Sequence, residues 1–191
     1  MFSIGRTGWE DQRMSTTSLT ELLLISGRSG VGKSTVAAEL HHLLAQADVK
    51  HALIEGDNLD LAHPAPWEHG LAEKNLRAMW QNYRDLGYRR LIYVNTVSAL
   101  FEVKLTEALG ERVGVISILL TADDESIRHR LRQREVGSAL DLHMQRSRDR
   151  AHELHVRSPA SVRRIPTDAK SVTLIAREIL DLVGWTPDPS V

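Results

Sequence analysis

Leu22-Leu23-Leu24-Ile25-Ser26-Gly27-Arg28-Ser29-Gly30-Val31-Gly32-Lys33-Ser34-Thr35 decides how the rest of the chain is read. Four consecutive apolar residues run into a G-x-x-x-x-G-K-[ST] spacing, and helical periodicity begins beyond it. An apolar run bounded by turn residues reads as a buried strand. The glycines let the backbone curl so that successive N–H groups point inward, a concavity that suits an anion. Lys33 then reaches the β- and γ-phosphates of a nucleotide, and Ser34 offers a hydroxyl to Mg²⁺. The helix beginning near Thr35 turns its positive end toward the same charge. Strand, loop and helix stand in the order that a phosphate-cradling loop needs, which sets the stretch apart from a chance Gly/Ser-rich turn.

The 191 residues, 42% of them hydrophobic, suffice for one substantial core and for a single domain. A net charge of −1 gives no global attraction to DNA or to an anionic membrane. Cysteine is absent, which removes disulfides, thiol catalysis and Cys-based zinc sites and is compatible with a reducing cytosol. No apolar run approaches the roughly 20 residues that cross a bilayer, and the N-terminus lacks the apolar core of a signal peptide. The expectation is a soluble cytoplasmic protein without a membrane partner.

Outward from the loop, residues 1–18 read as a polar, mobile tail and 186–191 as a Pro-containing one, leaving a domain over 19–185. Val36, Leu40, Leu43 and Leu44 give the first helix its apolar face, and His51–Ile54 is a short buried strand ending in Glu55-Gly56-Asp57-Asn58. Ala72–Leu86 carries Leu76, Met79, Trp80, Tyr83 and Leu86 at helical period, closed by Gly87. Arg90–Asn95 and Val113–Leu120 are further strands, with a helix over 99–109 between them. Thr121 or Asp123 can cap the next helix. Arginine-dense segments follow over 126–135 and 140–155, then a short strand from Arg164 and a last helix over 172–183. Strands alternating with helices predict an α/β fold, a five-stranded parallel sheet with helices on both faces.

Asp57 is the second residue of chemical interest. Just beyond the second strand it stands at the carboxyl edge of the sheet, where ligands of open α/β sheets bind. An acid there can take a proton from an incoming hydroxyl or hold Mg²⁺ through water, and Glu55 is its alternate. Followed by Asn58, it also suits a plain turn. Asn95, Thr96 and Ser98 can hydrogen-bond a substrate in the same crevice or satisfy local backbone. His152 and His155 stand a helical turn apart without a third ligand, so the spacing falls short of a metal site. At helical spacing Trp80 and Tyr83 suit the core.

Four stretches resemble the small P-loop kinases of the gluconate kinase, adenylyl-sulfate kinase, shikimate kinase and chloramphenicol phosphotransferase type. They are the loop Gly27–Thr35, Glu55–Leu59, Leu131-Arg132-Gln133-Arg134-Glu135, and Ile165–Asp168 with Ser171-Val172. The first alone is a strong motif, and the likeness covers nearly everything after residue 20. It implies the three-layer P-loop NTPase fold with a helical lid, here about 128–155, and an enzyme moving the γ-phosphate of ATP, with Mg²⁺, to a hydroxyl of a small molecule. It assigns nucleotide contacts to Gly27, Ser29, Gly30, Val31, Gly32, Lys33, Ser34 and Thr35, and the metal to Ser34 and Asp57. Catalysis falls to Lys33, Asp57 and two lid arginines, Arg130 and Arg134, with Arg146, Arg148 and Arg150 available to complete the lid. Guanidinium forks suit that task because they match phosphate oxygens and stay charged.

One departure narrows the alternatives. Val94-Asn95-Thr96 stands where many P-loop ATPases carry a Mg²⁺-ordering aspartate, which tells against a motor, helicase or transporter more than against a kinase. A regulatory nucleotide-binding ATPase or switch is the alternative from another class. A kinase of nucleic-acid ends or nucleotide sugars is a third, though the near-neutral charge disfavours extended nucleic-acid binding.

Overall fold

Five strands, β1 (Thr20–Ser26), β2 (Ala52–Glu55), β3 (Arg90–Val94), β4 (Val113–Thr121) and β5 (Arg163–Pro166), form one sheet in the order β2-β3-β1-β4-β5. All four pairings are parallel, with Leu23 level with Ile92 on one side and Ile116 on the other. Among the described residues six α-helices accompany them: α1 (Lys33–Gln46), α2 (Leu71–Asp85), α3 (Glu102–Leu109), α4 (Asp124–Arg132), α5 (Ser138–Arg157) and α6 (Val172–Val183). The computed structural model describes residues 19–110, 112–132 and 138–185, so both expected tails and Arg134 lie outside the described residues. Among them no helix is long and apolar enough to cross a membrane.

The pleat of β1 sorts its side chains into two layers, since alternate residues face opposite ways. Leu23 and Ile25 join Val36, Leu40, Ile175 and Ile179 from α1 and α6. Leu22 and Leu24 join Leu76, Trp80 and Leu105 from α2 and α3. A strand buried on both faces reads as a continuous apolar run, which is why four consecutive aliphatic residues stand before the loop. The result is the expected helix–sheet–helix sandwich.

Several boundaries differ from the sequence reading, each for a local reason. Helix α1 begins at Lys33 rather than Thr35, because Gly32 at φ 102° acts as its N-cap and the loop turns directly into the helix. On α2 Leu76 and Trp80 are buried, but Met79 and Leu86 fall on the solvent side of the stripe and are 38% and 68% exposed. The helix expected over 99–109 is interrupted. Ser26 Oγ accepts the Ala99 N–H at 2.7 Å and pairs with Ser98 Oγ at 2.6 Å, which holds Ser98–Leu100 as a 3-10 turn before α3 starts. Asp123, not Thr121, caps α4 by accepting the Ser126 N–H at 2.6 Å. Gly87, at φ +84°, ends α2 as its position suggested.

Parallel pairing brings the C-terminal ends of all five strands to one edge. The loop after β1, the acid after β2 and the turns after β3, β4 and β5 therefore meet there.

Candidate functional site

The loop leaves β1 through Gly27, whose φ of +145° few other residues adopt. A Cβ at Gly27 would lie 2.7 Å from the Leu120 carbonyl oxygen and 2.9 Å from Val31 Cγ1, so glycine is required sterically as well. The Gly27 N–H donates to the Thr96 carbonyl at 3.2 Å and the Asn95 N–H to that of Ile25 at 3.1 Å, which stitches the loop to the end of β3. Lys33 Nζ donates to the carbonyls of Gly27 (2.8 Å) and Arg28 (3.3 Å), so its ammonium lies across the loop. Burial holds the Lys33 amine below its ordinary pKa, opposed by the nearby carboxylates of Asp57 and Glu55. No side chain caps α1 and no acid stands in its first turn, so the positive end of the helix stays open to an anion.

Above the loop lies a cleft of about 420 Å³ lined by Ser29–Thr35, Glu55, Asp57, Thr96, Arg130, Thr167 and Lys170, among others. Lys33, Ser34, Asp57 and Arg130 thus share one space although they come from three parts of the chain. Gly27 does not line it, being buried beneath, against Leu120. Asp57 sits on a 3-10 turn, Gly56–Asn58, with its carboxylate exposed. Asn95 Nδ2 donates to Asp57 Oδ1 at 2.6 Å while Asn95 Oδ1 accepts the Val97 N–H at 2.9 Å, so Asn95 aims the acid. The hydroxyl of Ser98 is buried and engaged with Ser26, which removes it from any substrate. Arg130 donates to the Val31 carbonyl (3.1 Å), to Thr167 Oγ1 (3.0 Å) and to the Thr167 carbonyl (3.1 Å), so its guanidinium is held between the loop and the end of β5.

A second set of contacts ties the loop to α4 and α5, and the sequence reading missed it. Arg28 is 6% exposed; its Nε donates to Ser147 Oγ (2.9 Å) and its Nη1 to Asp124 Oδ1 (2.6 Å). Arg148 donates to the other oxygen of Asp124 at 2.7 Å. These bonds, with that from Arg28 foremost, hold the Asp124 carboxyl below its usual pKa. Ser147 Oγ donates to the Ser29 carbonyl at 3.1 Å, and His143 Nε2 lies 2.8 Å from Ser29 Oγ. The signal was faint: small polar side chains one helical turn apart inside an otherwise basic helix. The arginines expected to gather in a lid are dispersed. Arg148 serves Asp124, Arg150 pairs with Glu153, Arg128 lies 3.8 Å from Asp141, and Arg146 lines a second cleft. Trp80 is core, whereas Trp67 is 78% exposed.

The sequence profile of the CobQ/CobB/MinD/ParA nucleotide binding domain, CbiA, matches residues 22–181. No curated protein matches the chain in sequence. Solved structures with a similar fold include the Deinococcus radiodurans tunicamycin resistance protein, at 22% identity and TM-score 0.60 over 88% of this chain and 99% of that one. A gluconokinase from Sinorhizobium meliloti 1021 matches at 18% and 0.55, over 87% and 93%. The Mycobacterium tuberculosis APS kinase in complex with AMPPNP and APS matches at 20% and 0.56, over 87% and 98%. Likeness at these identities shows that the fold is shared with small P-loop kinases.

Proposed function

The chain belongs to the CobQ/CobB/MinD/ParA nucleotide binding domain family, and we propose that it uses the bound nucleotide as a phosphoryl donor, transferring the γ-phosphate of ATP to a hydroxyl of a small-molecule acceptor. The observation that carries this reading is the pair of adjoining clefts. The loop cleft, of about 420 Å³, and a second one, of about 730 Å³, share Ser29 and Thr96 in their walls, so a donor and an acceptor can meet at that edge. A slow regulatory hydrolase needs no second compartment. The names of similarly folded proteins, a gluconokinase and an APS kinase among them, also favour transfer.

In this reading the loop amides of Ser29 to Thr35 and the Lys33 ammonium hold the phosphates, and Ser34 with Asp57 holds Mg²⁺, which would neutralise charge on the transferring group. The open positive end of α1 and the desolvated lysine fit a polyanion. Asp57 takes the hydroxyl proton as the acceptor oxygen bonds to the γ-phosphorus and the bridging oxygen departs with the diphosphate. Arg130 keeps the loop in place beside that phosphate, and the segment over about 128–155 covers the site as a lid within a domain of residues 19–185.

The test measures ATP binding and acceptor-dependent ADP release over sugars, sugar acids, nucleosides and antibiotics, with mass gain on the product. Lys33→Ala is expected to fold but to lose most ATP affinity or turnover. Nucleotide binding without transfer to any acceptor would return the protein to the class of regulatory switches.

A further inference from the structure

Helix α5 turns one face to the loop. His143 and Ser147, one turn apart, are both bonded to Ser29, at 2.8 Å and 3.1 Å. That anchors the same face, which carries Arg146 and Arg150, as a wall of the second cleft. The remaining charged lining residues are Asp149 and Glu153. Both acids have partners: Gln145 Nε2 donates to Asp149 Oδ1 at 2.9 Å, and Arg150 and Arg157 both engage Glu153. Arg150 is occupied by its pairing with Glu153. Among the described residues Arg146 is the one charged side chain of this wall that no hydrogen bond or ion pair occupies.

The rest of the lining narrows the ligand. Among the described residues Leu142 is its one aliphatic member and no Phe, Tyr or Trp lines it, so apart from the His143 ring, which is bonded to Ser29, the cleft offers a flat aromatic acceptor little to stack on. Thr96 and the polar side chains of α5 instead suit several hydroxyls. An unused guanidinium fork matches the paired oxygens of a carboxylate or phosphate.

We propose that the second cleft takes a hydroxylated organic anion, its carboxylate or phosphate on Arg146 and its reacting hydroxyl turned to the Ser29–Thr96 edge. This rests on the phosphoryl-transfer reading above. Arg146 is a specificity residue, exposed on α5, so its replacement leaves the core untouched.

The experiment compares an aldonic acid, a hexose monophosphate and the matching neutral hexose as acceptors at saturating ATP, using the wild type, Arg146→Gln and Arg146→Lys. At least one anion is expected to exceed the neutral hexose in kcat/KM by about tenfold, the scale of a hydrogen bond to a charged group. Whether the acid or the phosphate is preferred identifies the source of the charge. Arg146→Gln is expected to raise KM for that anion about tenfold, with kcat and the KM for ATP little changed, and Arg146→Lys to recover part of the loss. Equal use of the neutral hexose, or discrimination that persists in Arg146→Gln, overturns this assignment alone. ATP binding with no transfer to any of the three overturns this assignment, and the phosphoryl-transfer reading falls with it only where the nucleosides and antibiotics of the wider panel also stay unphosphorylated.

Discussion

Asn95 keeps its amide nitrogen on Asp57 and its oxygen on the Val97 N–H, so the acid is aimed by a neighbour that is itself fixed. Replacing Asp57 with Asn preserves an oxygen for Asn95 to donate to, while removing both the charge and the proton-accepting group. Nucleotide affinity is therefore expected to stay within a few-fold, and acceptor phosphorylation to fall by roughly 10² or more, the range of general-base catalysis. Isothermal titration and product mass measured on one preparation separate the two effects. Full activity in Asp57→Asn would move the chemistry to Glu55 or away from this turn. Residue identities alone brought Lys33, Ser34 and Asp57 to attention, because their spacing from strands is dictated by the sheet edge. The role of Asn95 was not legible, since which side chain it meets depends on β2 and β3 being neighbours in space.

At the level of elements, α5 grips the phosphate-binding loop through side chains that sequence periodicity treats as surface. Arg28→Met keeps much of the buried stem but takes the donor from Ser147 and leaves Asp124 with Arg148 alone. A loss of about 1–3 kcal/mol in unfolding free energy is expected, the cost of orphaning partners of a charged hydrogen bond. A weaker nucleotide affinity should accompany it, as the loop loses one of its supports. Chemical denaturation and ATP titration of the variant check both; an unchanged unfolding curve would mean that Ser147 and His143 hold the loop without Arg28. Helix α6, by contrast, was readable to the residue. Ser171 caps it by accepting the Leu174 N–H at 3.2 Å, Gly184 closes it at φ +63°, and its apolar face faces a single layer. The contrast has a physical cause: caps and stripes are local, whereas Arg28 lies 96 residues from Asp124 and 119 from Ser147 and meets them through tertiary folding alone.

For the molecule as a whole, pH acts far from the cleft, at the start of β2. His51 is buried, its Nδ1–H donates to the Val49 carbonyl at 2.6 Å, and its Nε2 accepts from His41 Nδ1 at 2.8 Å. Burial, reinforced by His41 and Arg90 and opposed by the Val49 bond, lowers its pKa from the ordinary 6.5. The folded state then binds fewer protons than the unfolded one as the pH falls below about 6.5, so stability declines there. Asp124, lowered from 3.8, adds a second loss at more acidic pH, where its carboxylate is protonated and leaves Arg28. Denaturation midpoints between about pH 7.5 and 5 should fall for the wild type and flatten for His51→Gln, and parallel curves would clear His51 of the effect.

The sheet order also bears on how the chain is born. β1 occupies the centre, yet both strands that flank it, β3 and β4, come later in the chain. During synthesis the Leu22–Ile25 run emerges first and waits for some seventy residues, until Arg90–Val94 arrive, before either neighbour can cover an edge. Over that interval of several seconds at ordinary elongation rates, the most apolar segment of the molecule has open backbone on both sides. The segment at the centre of the finished sheet is thus the one that a nascent-chain chaperone would have most reason to hold.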